Sequence, residues 1–177
     1  MVHFVGAGCG AADLITVRGA KLLGEADVII YAGSLVNPDL MRYAGAGCAL
    51  YDSAKMTLEE ILAVIEAAER EGKTTVRLHS GDPSLYGAVN EQFEQLKKRG
   101  IAYDICPGVS ALCGAAAALG IEYTLPEGSQ TVIVSRTAGR TAVPEQESIP
   151  SLAAHRATMV IFLSTGLSEK LQRELLE

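Results

Sequence analysis

An α/β fold follows from three features of the sequence: a mostly parallel sheet in a first domain, then a second, thinner α/β domain. Strand-like apolar runs alternate with helical repeats over residues 1–119. The strands expected at 2–5, 74–79 and 102–106 each lead into a glycine-bearing loop and then a helix. Beyond a stretch at 120–130 that holds Pro126 and Gly128, there is material for only two strands and two helices. Alternation of this kind points to a parallel sheet covered on both faces. A lone pair of strands is marginal in water, so the second domain, residues 120–177, reads as truncated.

The elements follow in order. Val2, Phe4 and Val5 make a short apolar strand that runs into Gly6-Ala7-Gly8-Cys9-Gly10. A helix pattern covers 16–24, a buried-strand run covers 27–31, and 48–51 reads as a further short strand. The clearest helix is 58–71, where Leu58, Ile61, Leu62 and Ile65 repeat at i, i+3, i+4 and i+7. Thr57 and Glu60 form a capping-box signature at its start, and Gly72 supplies a left-handed stop. A strand at 74–79, a helix at 88–99 closed by Gly100, and a strand at 102–106 complete the alternation. Residues 109–119 are almost all small and apolar, and a helix with no polar face is expected to be buried. In the second domain the expectation is a strand at 131–136, a polar loop at 137–150, a helix at 151–156, a strand at 158–163 and a helix at 167–176.

Composition narrows the function. Apolar runs such as Val28-Ile29-Ile30 are far too short to span a bilayer, and the N-terminus has no basic and apolar leader pattern, so a cytoplasmic protein without membrane contact is expected. A net charge of −6 argues against nucleic acid, whose binding rests on phosphate neutralisation. Cys9, Cys48, Cys106 and Cys113 show no CxxC spacing and read as reduced thiols. His3, His79 and His155 stand apart, so no metal site is expected.

Three loops carry the chemistry. Gly6-x-Gly8-x-x-Ala11 fits the dinucleotide pattern G-x-G-x-x-G/A, yet that pattern also needs an acid at the end of the next strand. Here that strand ends in Tyr31-Ala32-Gly33-Ser34, with Asp27 at its wrong end. A nicotinamide enzyme is therefore only an alternative. The second loop, His79-Ser80-Gly81-Asp82-Pro83-Ser84-Leu85-Tyr86-Gly87, lies at the carboxyl end of a strand, where open α/β sheets bind ligands. The competing reading is a tight turn in which Asp82 caps the following helix. Cys106-Pro107-Gly108-Val109-Ser110-Ala111 is the third loop.

An anionic substrate would need a local cluster of cations in so acidic a chain. Ser135-Arg136-Thr137-Ala138-Gly139-Arg140-Thr141 is such an island, because arginine's fork suits carboxylates and stays charged. An exposed loop of solvated arginines is the alternative. Lys55, Arg77 and His79 are further candidates, the last two sharing one face of their strand.

Together these motifs resemble the tetrapyrrole methylases. Gly6-Ala7-Gly8-Cys9-Gly10 followed by Asp13-Leu14-Ile15-Thr16-Val17-Arg18-Gly19 is similar to the family's opening signature. Ser80-Gly81-Asp82-Pro83 and Pro107-Gly108-Val109-Ser110-Ala111 resemble the next two, in order. Tyr31-Ala32-Gly33-Ser34-Leu35-Val36, Asp52-Ser53-Ala54-Lys55-Met56 and Glu122-Tyr123-Thr124-Leu125-Pro126 resemble the branch that acts on carbon 11 of precorrin-4.

The resemblance implies two α/β domains with S-adenosylmethionine in the cleft between them, a homodimer, and a corrinoid precursor as substrate, with or without cobalt. It implies cofactor contacts at Gly8, Cys9, Gly10, Ser80, Gly81, Asp82, Leu85, Ser110, Ala111 and Leu163. Methyl transfer from a sulfonium needs no covalent intermediate, and no residue is singled out as catalytic. The family usually has proline where this chain has Cys9, and its members continue past residue 177. A fragment that serves at most as a binding module is the remaining alternative.

Overall fold

Five short strands build the first sheet of the computed structural model, which describes residues 1–139 and 141–176. They are β1 (Val2–Gly6), β2 (Val28–Tyr31), β3 (Ala49–Asp52), β4 (Thr75–His79) and β5 (Tyr103–Cys106), in spatial order β3-β2-β4-β1-β5. Every neighbouring pair is parallel. Parallel pairing demands a crossover between strands, and α1 (Val17–Glu25), α2 (Leu58–Arg70) and α3 (Asn90–Lys98) lie in those connections. All five carboxyl ends therefore fall on one edge, with Gly6 beside His79 and Tyr31 beside Leu78.

Side chains alternate across the sheet and create two cores. Val5, Ile29, Val76 and Leu78 pack on one face with Leu23 of α1 and Leu40. Val2, Phe4, Val28 and Ile30 pack on the other with Ile61, Leu62 and Ile65 of α2 and Leu96 of α3. Phe4 meets Phe93 edge-on at 4.7 Å, and Phe93 stacks on Tyr103 at 4.7 Å. Each fully buried side chain of this size contributes about 1.5–3 kcal/mol. Strand β4 is buried along its whole length, and on the Phe4 face that includes Thr75, Arg77 and His79.

The capping box forms as the sequence predicts. Thr57 N–H donates to Glu60 Oε2 at 2.7 Å, and Glu60 N–H donates to Thr57 Oγ1 at 3.2 Å. Gly72 then leaves the helix at φ +67°. Helix α3 starts at Asn90 rather than 88, because Tyr86 and Ala88 take left-handed φ of 55° and 50° and keep the preceding segment a loop.

The chain divides into two units, Met1–Ala115 and Ala116–Glu177. The division falls within α4 (Ala111–Leu119), whereas the sequence predicts a boundary at that helix's end. The expected burial of α4 is not found. None of its residues is buried, and Leu119 is 69% exposed. Apolar composition says that a helix wants cover, but not which segment supplies it.

The second unit contains a parallel pair, β6 (Val132–Arg136) and β7 (Thr158–Phe162), with α5 (Ile149–Ala153) and α6 (Ser168–Leu176). Helix α5 begins earlier than expected, because Pro150 occupies its first turn, where a missing N–H costs nothing. All five residues of β7 are only half-buried. No helix among the described residues is long and apolar enough to cross a membrane.

Two substitutions calibrate this fold. Thr57→Ala should lower stability by about 1 kcal/mol, as loss of a cap does. Ile65→Ala, in the α2 core, should cost about 2–5 kcal/mol. Urea denaturation followed by circular dichroism checks both, and equal effects would refute the assignment of Ile65 to the core.

Candidate functional site

Three loops meet at the carboxyl edge of the first sheet because their backbones touch. A Cβ on Gly6 would lie 2.5 Å from Gly108 Cα and 2.6 Å from Gly81 O. One on Gly108 would lie 2.2 Å from Gly81 O. Only glycine permits that approach. The first and second loops also exchange hydrogen bonds, Gly81 N–H to Gly8 O at 2.9 Å and Gly8 N–H to Gly81 O at 3.3 Å.

Asp82 locks the second loop to the third. Its Oδ1 accepts from the backbone N–H of Ser84 at 2.8 Å and from the Ser84 hydroxyl. Its Oδ2 accepts from Gly108 N–H at 2.8 Å. Burial opposes the charged form, but the Ser84 hydroxyl and the Gly108 and Ser84 N–H groups outweigh it and hold Asp82 below the usual carboxylate range. The helix-cap alternative fails, since α3 starts only at Asn90. Asp82 is a clamp between loops.

The other candidates in this unit surround the clamp. Ser80 is exposed, and Leu85 is half-buried with its N–H on Asp82 O at 3.2 Å. Gly10 is exposed and takes φ +135°. Cys9 rests against Gly114, where a Cβ would sit 2.8 Å from Cys9 Sγ. Ser110 is buried, its carbonyl accepts from Cys113 N–H at 3.0 Å at the start of α4, and Ala111 is exposed. Two contributors went unnoticed in the sequence. Asn37 donates to Gly10 O at 2.9 Å, and Ser84 completes the Asp82 clamp. The Asn37-Pro38 dipeptide is the turn signal that could have flagged the first.

The candidate cations separate. Lys55 is exposed in the short helical turn after β3. Arg77 and His79 are each only 5% exposed, on the α2/α3 side of β4. Arg77 Nη1 donates to Ile30 O at 3.1 Å and Nε to Gln92 Oε1 at 3.2 Å, and burial lowers its pKa to about 10, so it stays cationic. His79 is neutral, because burial and then the charge of Arg77 push it down to about 3. Its ring stacks over Phe4 at 5.9 Å, and its Nε2 has no hydrogen-bond partner among the described residues.

In the second unit, Arg136 donates to the carbonyls of Thr141 at 3.1 Å and Ala142 at 2.8 Å. It staples its own loop rather than standing free. Arg140 lies outside the described residues. Leu163 follows β7 with φ 57° and is 72% exposed. Beside it, Ser164 Oγ accepts from Thr137 N–H at 3.1 Å and so links the ends of the two strands.

The buried histidine makes stability depend on pH. Its folded pKa lies below the unfolded value of about 6.5, so the neutral ring's contribution is complete above that value. That contribution is lost as pH falls from there toward about 3. The slope from this one group is at most about 1.4 kcal/mol per pH unit. Asp82, also depressed, adds a loss that begins only below about 3.9. Urea midpoints measured from pH 7 to pH 4 should fall, and His79→Gln should flatten the decline. An unchanged slope in that variant would contradict the burial of a neutral ring.

With this geometry in place, known proteins supply the context. The profile of the tetrapyrrole (corrin/porphyrin) methylases matches residues 1–177. A cobalt-precorrin-4 C(11)-methyltransferase from Methanocaldococcus jannaschii is 53% identical over 176 residues, 99% of this chain and 68% of the relative. A precorrin-4 C(11)-methyltransferase from Pseudomonas aeruginosa is 49% identical over 175 residues, 99% of this chain and 70% of the relative. Among solved structures, a cobalt precorrin-4 methyltransferase of cobalamin biosynthesis superposes with a TM-score of 0.95 at 46% identity, covering 99% of this chain and 73% of that one. A uroporphyrin-III C-methyltransferase from Thermus thermophilus gives a TM-score of 0.75 at 30% identity, covering 97% and 71%. The likeness runs the length of the chain in sequence and in fold, and the chain belongs to the tetrapyrrole methylases.

Proposed function

We infer that the chain is an S-adenosylmethionine-dependent C-methyltransferase that methylates carbon 11 of precorrin-4 or cobalt-precorrin-4 in cobalamin biosynthesis. The observation that carries this reading is its 53% identity, over 99% of its length, to a cobalt-precorrin-4 C(11)-methyltransferase. Cytoplasmic location and a homodimer belong to the same reading and rest on the family resemblance.

The first unit's loops suit such a cofactor. Glycine-rich backbone is exposed at Gly10, and Ser80 stands on the rim. Asp82, the ionised group here, has both oxygens engaged within the protein. Its task is therefore to hold the loops, and the rim of Gly8, Cys9, Gly10, Ser80, Gly81 and Leu85 makes the contacts. Ser110 and Ala111 complete the proposed set in this unit, and Leu163 is the second unit's candidate.

When bound, S-adenosylmethionine supplies the methyl group as a sulfonium. The protein's work is orientation, since in-line displacement needs carbon, methyl and sulfur aligned. Holding two reactants in place lowers a barrier by about 7–11 kcal/mol. Loops fixed by backbone contact and a three-donor clamp are suited to that work. On the substrate side, Arg136 keeps its own loop in shape, and the candidates for meeting peripheral carboxylates are Lys55 in the first unit and Arg136 and Arg140 in the second.

Calorimetric titration with S-adenosylhomocysteine tests the reading. Saturable binding is expected, with no heat from NAD. Asp82→Ala should weaken binding tenfold or more, because Gly108 and Ser84 lose their shared acceptor. Wild-type affinity in a folded Asp82→Ala protein would remove the clamp from the account, and preference for NAD would overturn the assignment.

A further inference from the structure

A cavity of about 200 Å³ opens beneath the second loop, lined by Arg77, His79, Ser80, Leu85, Tyr86 and Gln92 among others. Two observations at its floor call for a ligand. Arg77 is buried, yet its hydrogen bonds are to neutral acceptors, Ile30 O and Gln92 Oε1, and no carboxylate among the described residues pairs with it. A guanidinium has five N–H donors, so these two bonds leave capacity for an anion. Buried charges are normally paired, because an unpaired one carries its full desolvation cost. His79 is equally buried, and its Nε2 has no partner among the described residues. Arg77 and His79 stand two residues apart on the same face of β4, about 6–7 Å along the strand. A carboxylate between them could accept from both.

We propose that this cavity is a subsite for one carboxylate arm of the tetrapyrrole, with the Arg77 guanidinium and the His79 Nε2–H as its donors. The identity of the arm's owner rests on the methyltransferase reading above. Volume and position favour an arm over a larger group. The cavity holds a short acid but no ring, and it sits at the carboxyl edge of the sheet under Leu85, in the loop proposed to meet the cofactor. The competing account makes Arg77 a brace that joins β2, β4 and α3 and nothing more.

The probe is propionate, read at pH 7 through the His79 ring ¹⁵N signals, which the His79→Gln variant identifies. A saturable Nε2 shift at millimolar propionate is expected, absent with propionamide and displaced by coproporphyrin, a tetrapyrrole bearing propionate arms. Arg77→Lys keeps the charge but loses the fork, and should weaken propionate about tenfold. Because a buried variant can misfold, Leu35→Asp provides an independent arm. Leu35 lines the cavity yet is 72% exposed, so an acid there should repel propionate without disturbing the core.

The brace account wins if propionate leaves the Nε2 signal unmoved, if propionamide moves it equally, or if Leu35→Asp makes no difference. A propionate shift that coproporphyrin cannot displace assigns the cavity to free small acids and overturns the proposal. S-adenosylhomocysteine titrated into the same sample separates the two readings. Cofactor binding without a propionate response sinks the subsite alone, whereas a displaceable propionate response without cofactor binding supports the subsite and sinks the S-adenosylmethionine assignment.

Discussion

Two backbones can touch as closely as Gly6 and Gly108 do only if neither carries a side chain there. A Cβ on either would lie 2.2–2.9 Å from neighbouring backbone atoms, and Gly81 joins the contact through its carbonyl oxygen. The rest of the first unit's edge depends on this contact. It brings Gly8 and Gly81 close enough to exchange hydrogen bonds, and it presents Gly108 N–H to Asp82. The carboxylate then converts proximity into a fixed arrangement. An alanine at Gly108 would push against carbonyl oxygen rather than a flexible side chain, so relief would have to come from the backbone itself.

The two faces of the sheet have been put to different uses. On the α1 face, Val76 and Leu78 of β4 are ordinary core residues. On the other face the same strand buries Thr75, Arg77 and His79 among apolar neighbours. Polar groups inside a core are tolerated when they are satisfied, and here satisfaction is partial: Arg77 reaches Ile30 O and Gln92, while His79 Nε2 reaches nothing among the described residues. Their position near the carboxyl end of β4 associates the incomplete satisfaction with the edge that holds the loops.

Local signals were easy to read where local physics decides the outcome. The period of Leu58, Ile61, Leu62 and Ile65, the Thr57/Glu60 box and the stop at Gly72 are all set within one helix, and each has its counterpart in the structure. The strand-to-loop-to-helix rhythm likewise exposed the parallel sheet and the three loops. What escaped was long-range. That Asp82 would bond to Gly108 instead of capping a helix depends on how close the third loop comes. That Arg136 would turn back on Thr141 and Ala142 depends on the loop's path. The left-handed turns at Tyr86 and Ala88 break the usual preferences of their residue types, and the cavity above Arg77 lies under that loop.

The strand order also dictates when the protein can begin to fold as it leaves the ribosome. Among the described residues, β1 pairs with β4 and β5, so Val2 waits for Thr75 and Tyr103. Among the described residues, no hairpin holds this strand. Synthesis proceeds at about 5–20 residues per second, so the β1 segment spends seconds as an apolar strand without a neighbour. Parallel, non-local pairing also folds slowly once the chain is complete. Exposure of Val2, Phe4 and Val5 during synthesis is thus a consequence of placing β1 between β4 and β5.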